Sequence, residues 1–202
     1  MKQKSKKFIL RFEEVEYGDV GLVGGKNASL GEMFSKLTEK GVNVPDGFAL
    51  TSKAYWHFLK ENKLNGVLET IFSKFNPASI KNLQATGKLA RSAISKANFP
   101  KDLEEEIIKA YQKLGKEYGE NTAVAVRTSG VAEDRPNASF AGQFETYLNV
   151  SGKEKLLTAI KKCIISTFTD RAIAYREEKK ISQLEFALSV GVQKMVRSDL
   201  AS

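Results

Sequence analysis

Two residue types that often carry chemistry are almost absent from this chain of 202 residues, which has one cysteine and one histidine. The single cysteine, Cys163, excludes an internal disulfide and fits a reducing compartment. Because it lies at helical spacing with Leu156 and Ile160, we expect it to be packed in the core. The single histidine, His57, has no partner serine, cysteine or metal cluster in the sequence pattern. We therefore interpret it as a packing or surface residue rather than a catalytic base.

Long apolar runs are also missing, and no stretch of the sequence is long enough to span a membrane. The apolar segment 8–10, which follows a basic N-terminus, is too short for a signal peptide and is interrupted by Arg11. We predict a cytoplasmic protein without a membrane partner. A composition of 42% hydrophobic and 28% charged residues is ordinary for a globular chain that buries a sizeable core.

Acidic residues are outnumbered, since 32 Lys and Arg against 24 Asp and Glu give a formal net charge of +8. The basic residues are spread over helical stretches without an RNP-like, zinc-knuckle or basic-zipper pattern, so we do not predict a nucleic-acid partner. Solvated, lysine-rich helix faces explain this charge. Attraction to a polyanionic small molecule such as a nucleotide explains it as well.

The segment 123–150 predicts two strands joined by a long polar loop that contains glycine and proline. Arg127 lies where the first strand meets this loop. A guanidinium at such a position is costly to bury and does not deprotonate, so it requires an anionic partner. That partner is either an internal carboxylate, Glu133 or Asp134, or an anionic ligand, and the charge pattern leaves both open.

A second glycine-containing segment precedes an amphipathic helix. Gly24 and Gly25 come directly before Lys26, and the following apolar residues share one helical face: Leu30, Met33, Phe34 and Leu37. Amide groups at a helix N-terminus and a lysine ammonium together suit a phosphate. The spacing is not that of a Walker A loop. A plain turn with a solvated lysine remains an equal alternative for this segment taken alone.

The remaining pattern predicts an α/β fold. We expect one or two short strands within 8–23, a turn and strand at 44–50, helices through 65–118, one long helix over 153–180, and an alternating strand within 186–196 that has the character of a central strand.

Taken in order, residues 23–33, the turn at 44–48, residues 126–149 and the ending 190–199 resemble the N-terminal ATP-binding domain of the phosphoenolpyruvate synthase family, the pyruvate, water dikinases. The resemblance implies an ATP-grasp-like fold, in which two subdomains clamp ATP. Residues 1–202 would form the first subdomain, with a mixed or antiparallel sheet packed with several helices. The second grasp subdomain, the phosphohistidine domain and the pyruvate-binding barrel would be absent.

The resemblance also implies residue roles. Lys26 and Arg127 would be the catalytic cations that stabilise charge on the phosphates during transfer. Further contacts to the phosphates would come from Thr128, Gly142 and Thr146. The adenine ring would be bound by a hinge at 193–196, through Gln193, Met195 and Val196. The magnesium ligands would lie outside this fragment, so no metal ligand is predicted within it. Four departures from the family pattern bear on loop closure more than on binding: Gly130, Val131, Arg135 and Phe144.

The implied parent enzyme converts ATP, pyruvate and water into AMP, phosphoenolpyruvate and phosphate through a phosphohistidine. Its partners would be ATP and the phosphohistidine domain of the same parent chain, with pyruvate bound only by the parent, and the fragment alone would be inactive. Two alternatives stay open. The parent is a rifampicin-phosphotransferase-like enzyme, or the chain is a non-catalytic module that binds a polyanion or a protein through its positive charge.

Overall fold

The computed structural model describes residues 4–131 and 145–196. The strands in these residues are β1 (Ile9–Arg11), β2 (Gly47–Leu50), β3 (Val124–Gly130), β4 (Thr146–Val150) and β5 (Leu188–Lys194). The helices are α1 (Val20–Thr38), α2 (Ser52–Glu61), α3 (Leu64–Phe72), α4 (Ile80–Lys96), α5 (Lys101–Tyr118), α6 (Lys153–Ser166) and α7 (Asp170–Glu178). Short 3-10 helices cover Lys4–Lys6, Phe12–Glu14 and Tyr17–Asp19.

The five strands form one sheet in the order β1-β2-β5-β3-β4, and every neighbouring pair is antiparallel. β5, the last of these five strands in sequence, therefore lies at the centre, as its alternating apolar pattern predicted. The register places Arg127 of β3 opposite Gly191 of β5 on one side and opposite Thr146 of β4 on the other. Because direct partners in an antiparallel pair share a face, these three residues lie on the same face of the sheet.

The two faces of the sheet carry different cores. Val190 and Val192 of β5 and Val126 of β3 are buried in the larger core, which helices α2 to α6 cover. The opposite face packs against α1, and its smaller core includes Ala28 of α1 and Ala49 of β2. Side chains along β5 alternate between two faces. One is the scaffold face, which carries Val190 and Val192 and packs on the larger core, and the other is the face on which α1 lies.

The segment 8–23 differs from its prediction. Only Ile9–Arg11 forms a strand, and Val20 begins α1 instead of ending a strand. The reason is packing, because Val23 before the non-helical Gly24 and Asn27 and Leu30 after it are all buried.

The long helix predicted over 153–180 is divided in two. α6 ends at Ser166, and the side chain of Thr169 accepts a hydrogen bond from the Ala172 N–H, which caps the start of α7. A threonine that satisfies an unpaired amide in this way favours a new helix over continuation of the old one.

The interpretations of the two rare residues agree with the structure. Cys163 on α6 is fully buried, and its Sγ lies 3.9 Å from the Val126 carbonyl oxygen. His57 stacks on Phe8 and lies 3.0 Å from an Asp102 carboxylate oxygen, so it joins α2 to the first turn of α5. None of the described helices has the length and apolar character to cross a membrane.

Candidate nucleotide-binding site

The two-glycine segment forms a kink inside α1. Gly24 has φ 70° and ψ 161°, a backbone conformation open essentially only to glycine, and the helix resumes at Gly25 and Lys26. A β-carbon on Gly24 would lie 2.4 Å from the Ser129 Oγ and 2.7 Å from the Gly130 carbonyl oxygen. The missing side chain therefore lets the start of the second helical segment lie directly on the end of β3.

The side chain of Arg127 reaches this segment from the sheet. Its Nη2 donates a hydrogen bond to the Lys26 carbonyl oxygen at 3.3 Å, although 101 positions separate the two residues in the chain. Arg127 is half-buried, whereas Lys26 and Thr146 are exposed. The Arg127 guanidinium and Thr146 thus lie on the face of the sheet that α1 covers, beside the backbone of Lys26 just after the kink. This combination favours an anionic group such as a phosphate.

The end of β5 lies on the same face, farther along the strand. Gln193 donates a weak hydrogen bond of 3.5 Å to the Pro45 carbonyl oxygen. The Lys194 N–H donates to Asp46 O at 2.8 Å and the Met195 N–H to Ala123 O at 2.9 Å, so both amides are occupied by protein. From Gly191 to Lys194 the strand spans about 10 Å at its usual rise per residue. The candidate hinge is therefore fixed at a defined distance from the Arg127 guanidinium.

The turn that holds the hinge is itself anchored by a buried ion pair. Asp46 is 2% exposed, and its carboxylate accepts hydrogen bonds of 2.6 Å from both the Gly47 N–H and the Arg11 guanidinium. Glu117 at the end of α5 approaches the same guanidinium at 3.3 Å. Burial raises the pKa of Asp46 above its ordinary value, with the nearby Glu117 adding to the rise. The backbone carbonyl of this aspartate is the one that receives the Lys194 N–H.

Comparison with known proteins bears on all of these segments. The model of the family described as pyruvate phosphate dikinase, AMP/ATP-binding domain matches residues 20–202. The chain belongs to this family. A phosphoenolpyruvate synthase of Synechocystis sp. is 51% identical over 204 residues, covering 98% of this chain and 25% of that protein. The phosphoenolpyruvate synthases of Helicobacter pylori and Escherichia coli are 48% and 44% identical, covering 97% and 98% of this chain.

The chain spans about a quarter of the length of these curated relatives. The predicted resemblance to the phosphoenolpyruvate synthases is confirmed. The predicted fold class, an α/β nucleotide-binding domain of ATP-grasp-like type, is confirmed as well, with an antiparallel sheet.

Not every residue that the resemblance assigned to the AMP/ATP-binding site comes together in the structure. Arg127 and Thr146 share one face of the sheet, and the backbone of Lys26 in α1 contacts Arg127 on that face. Thr128 is 2% exposed and lies opposite Val190 on the scaffold face, so the structure does not bring its hydroxyl to this group. Gly142 lies outside the described residues.

Several other sequence predictions bear on the same region. The two candidate carboxylate partners of Arg127, Glu133 and Asp134, also lie outside the described residues, as do the departures Arg135 and Phe144. Among the described residues, no group of three or more histidine, cysteine, aspartate or glutamate side chains could hold a metal ion.

The sequence reasoning missed a buried polar network beneath the site. Asn27 is fully buried, and its Nδ2 donates to the Ser189 Oγ at 3.0 Å while its backbone N–H donates to the Ser129 Oγ at 3.4 Å. The signal available in the sequence was an asparagine on the buried face of an amphipathic helix. Its partners lie more than 100 positions away, and periodicity gives no information about contacts of that kind.

Proposed function

We propose that this chain is the ATP-binding portion of a phosphoenolpyruvate synthase-like dikinase. One observation supports this most strongly. The Arg127 guanidinium and the Lys26 segment, widely separated in the chain, are in contact on the face of the sheet that also carries the end of β5. The family and the names of the relatives support the same function and favour a pyruvate-directed parent over a rifampicin-phosphotransferase-like one.

In this proposal the phosphates lie against Lys26, Arg127 and Thr146, with Gly142 and the backbone of Thr128 in β3 contributing further contacts. Phosphoryl transfer depends mainly on positioning and on stabilising charge at the phosphate oxygens, which is what two cations and oriented amides supply.

The adenine ring would lie at the hinge formed by Gln193, Met195 and Val196. Because the Lys194 and Met195 amides are occupied by protein carbonyls, the hinge donor for the base would be the Val196 N–H. Val196 is 63% exposed, which leaves it open to a ligand.

The parent reaction is part of the proposal. ATP would phosphorylate a histidine on another domain of the parent chain, with release of AMP and phosphate, and the phosphohistidine would then phosphorylate pyruvate. A second subdomain would close over ATP and would supply the ligands for magnesium. The isolated chain would bind ATP weakly and would have no activity. A cytoplasmic location fits the one buried, reduced cysteine, Cys163.

A second candidate function has one specific observation in its favour. A groove of about 820 Å³ between α5 and the start of α6 is lined by Lys109, Lys113, Lys116 and Lys153. A non-catalytic module that holds a polyanion would use this groove. Its binding would be sensitive to salt and indifferent to the base of a nucleotide.

The two candidates are separated by following amide chemical shifts of the labelled chain during titration with ATP and magnesium, with GTP, and with inorganic tripolyphosphate. The proposal predicts that the shifts are largest with ATP and cluster at 24–28, 127–128, 142–146 and 193–196. The groove predicts equal shifts with every polyanion at residues 109–116 and at Lys153.

Two variants with the same change in net charge sharpen this test. Arg127→Ala removes a cation of the proposed site, whereas Lys88→Ala removes an exposed cation of α4 that lies outside it. ATP-specific shifts that are lost in Arg127→Ala and kept in Lys88→Ala would support the proposal. Equal losses in both variants would support the charged module. Absence of ATP-dependent shifts at these positions, both in this chain and in a longer chain with the second subdomain, would refute the proposed function.

A further inference from the structure

Asn27 joins the segment that follows the kink in α1 to three strands of the sheet. Its backbone N–H donates to the Ser129 Oγ at the end of β3, and its Nδ2 donates to the Ser189 Oγ at the start of β5. The Ser189 Oγ in turn donates to the Leu50 carbonyl oxygen of β2 at 2.6 Å. Asn27, Ser129 and Ser189 are each at most 1% exposed. The network is therefore built into the interior of the protein.

This asparagine is retained at a cost. Its Oδ1 is buried and has no hydrogen-bond partner within the described residues. A buried acceptor without a partner is unfavourable, and an apolar side chain of similar size would avoid that penalty. The same oxygen lies above Gly191, where a β-carbon would be only 2.3 Å from it. Stability alone does not account for an asparagine here. A requirement to hold the neighbouring backbone in a fixed position does account for it.

The position that Asn27 fixes is the backbone of its neighbour, Lys26. The Lys26 carbonyl oxygen accepts the hydrogen bond from the Arg127 Nη2. Arg127 and Ser129 lie on the same face of β3, two residues apart, because side chains on a strand alternate between faces. Lys26, Asn27, Ser129 and Arg127 thus form a closed circuit of covalent and hydrogen-bonded links between α1 and β3.

We propose that Asn27 is a positioning residue for the phosphate end of the site. Its backbone N–H holds the Lys26 segment to β3, and its side chain ties the same segment to β5 through Ser189, which sets where the Arg127 guanidinium lies. The hinge at 193–196 is anchored separately, through Asp46 and Ala123. Loss of Asn27 therefore affects the phosphate end and leaves the hinge in place. The part of this inference that concerns ATP rests on the function proposed above, whereas the placement of Arg127 does not.

The first measurement needs no ligand. The Arg127 Nε is buried, so its N–H exchanges slowly with water and gives a side-chain signal that can be followed by NMR. In Asn27→Ala the side-chain hydrogen bond to the Ser189 Oγ is lost while the backbone hydrogen bond to the Ser129 Oγ remains. We expect the Arg127 exchange to become about tenfold faster, as for the loss of one hydrogen bond that holds a neighbouring group. Asn62→Ala is the matched control. It removes an asparagine that bonds to Phe58 and Asn98 on the side of the larger core, outside this network, and leaves Arg127 exchange unchanged.

The second measurement compares two partial ligands, inorganic tripolyphosphate and adenosine, in the same variants. We expect Asn27→Ala to weaken tripolyphosphate binding by about tenfold and to leave the adenosine-induced shifts at 193–196 as in the unaltered chain. A general loss of structure would instead affect both ligands. If Asn27→Ala does not fold, Ser189→Ala decides the question, because it removes only the acceptor of the Nδ2 hydrogen bond and the donor to Leu50.

The outcomes separate the two proposals. A folded Asn27→Ala variant with unaltered Arg127 exchange and unaltered tripolyphosphate affinity would overturn the positioning role. If neither the unaltered chain nor a longer chain with the second subdomain shows a specific response to ATP while Arg127 exchange still depends on Asn27, the function proposed above fails and the positioning role stands.

Discussion

Replacement of Gly24 by alanine tests the packing on which the phosphate end depends. Two costs arise from one methyl group. The first is conformational, because φ 70° with ψ 161° lies in a region that residues with a β-carbon occupy at a cost of about 1–3 kcal/mol. The second is steric. The added carbon would lie 2.4 Å from the Ser129 Oγ and 2.7 and 2.8 Å from two backbone carbonyl oxygens of β3. Backbone atoms of a central strand cannot move aside easily.

The magnitude follows from adding these terms. Overpacking of a fitted contact costs about 1–3 kcal/mol, and the gain from a less flexible unfolded chain returns only about 0.4–1 kcal/mol. We expect Gly24→Ala to lower the free energy of unfolding by roughly 1–6 kcal/mol. Gly21→Ala in the same helix is the control, since nothing lies within 4 Å of its β-carbon. There alanine should be neutral or stabilise by at most about 1 kcal/mol.

The assay is urea denaturation followed by circular dichroism and by the fluorescence of the single tryptophan, Trp56. The free energy of unfolding should fall with urea concentration at the same slope in all variants, and only the urea concentration at the midpoint of unfolding should differ. A Gly24→Ala protein as stable as Gly21→Ala, within about 0.5 kcal/mol, would refute the close packing of α1 on β3. The geometry of the phosphate end would then have to be revised as well.

Two further predictions concern ionisable groups. Burial, together with the charge of Glu145, raises the pKa of the Cys163 thiol above its ordinary range, so thiol reagents at pH 8 should label it only in denaturant; rapid labelling of the native protein would contradict the packing of α6 on β3. The hydrogen bond to His57 lowers the pKa of Asp102, because it favours the carboxylate in the folded state. The pair therefore stabilises the folded protein above the unfolded-state pKa of Asp102, and this stabilisation is lost as the pH falls through the folded-state pKa. His57→Phe, which keeps an aromatic ring against Phe8, should raise the Asp102 pKa toward its ordinary value near 3.8 in a carbon-13 NMR titration, and an unchanged pKa would exclude the pair.

The sequence pattern predicted burial correctly where a residue's environment is set by its own helix or strand. Helical spacing within 101–118 predicts one apolar face, Leu103, Ile107, Tyr111, Leu114 and Tyr118. The first four are buried in α5, as expected for an amphipathic helix, whereas Tyr118 at the end of the helix is 44% exposed. The central place of β5 followed in the same manner from alternation with apolar residues on one face. The segment 8–23 was predicted less well, since β1 has only three residues and its strand pairing with β2 is what defines it.

Contacts between distant segments could not be predicted from pattern. Nothing near Arg11 in the sequence indicates that its guanidinium meets Asp46, or that the Asp46 backbone holds the end of β5. Arg176 is a second case. It is fully buried, with its Nε donating to the Gln183 Oε1 and its guanidinium over the rings of Phe168 and Phe186. Burial of a guanidinium depends on tertiary partners that periodicity does not encode.

β5 connects the phosphate end of the proposed nucleotide site to the hinge. One of its faces packs on the larger core, and the other contacts α1. Val190 and Val192 bind the strand to the larger core, so its position in the sheet is fixed. On the other face Gly191 must be small, since the Asn27 side chain occupies the space where a β-carbon would lie. That contact places α1, and with it Lys26, against the middle of the strand. Hydrogen bonding to β2 on one side and β3 on the other continues to Gln193 and Lys194, so the backbone is held in place up to the start of the hinge. The spacing between the phosphate end and the hinge is therefore a property of one fully paired strand rather than of flexible loops.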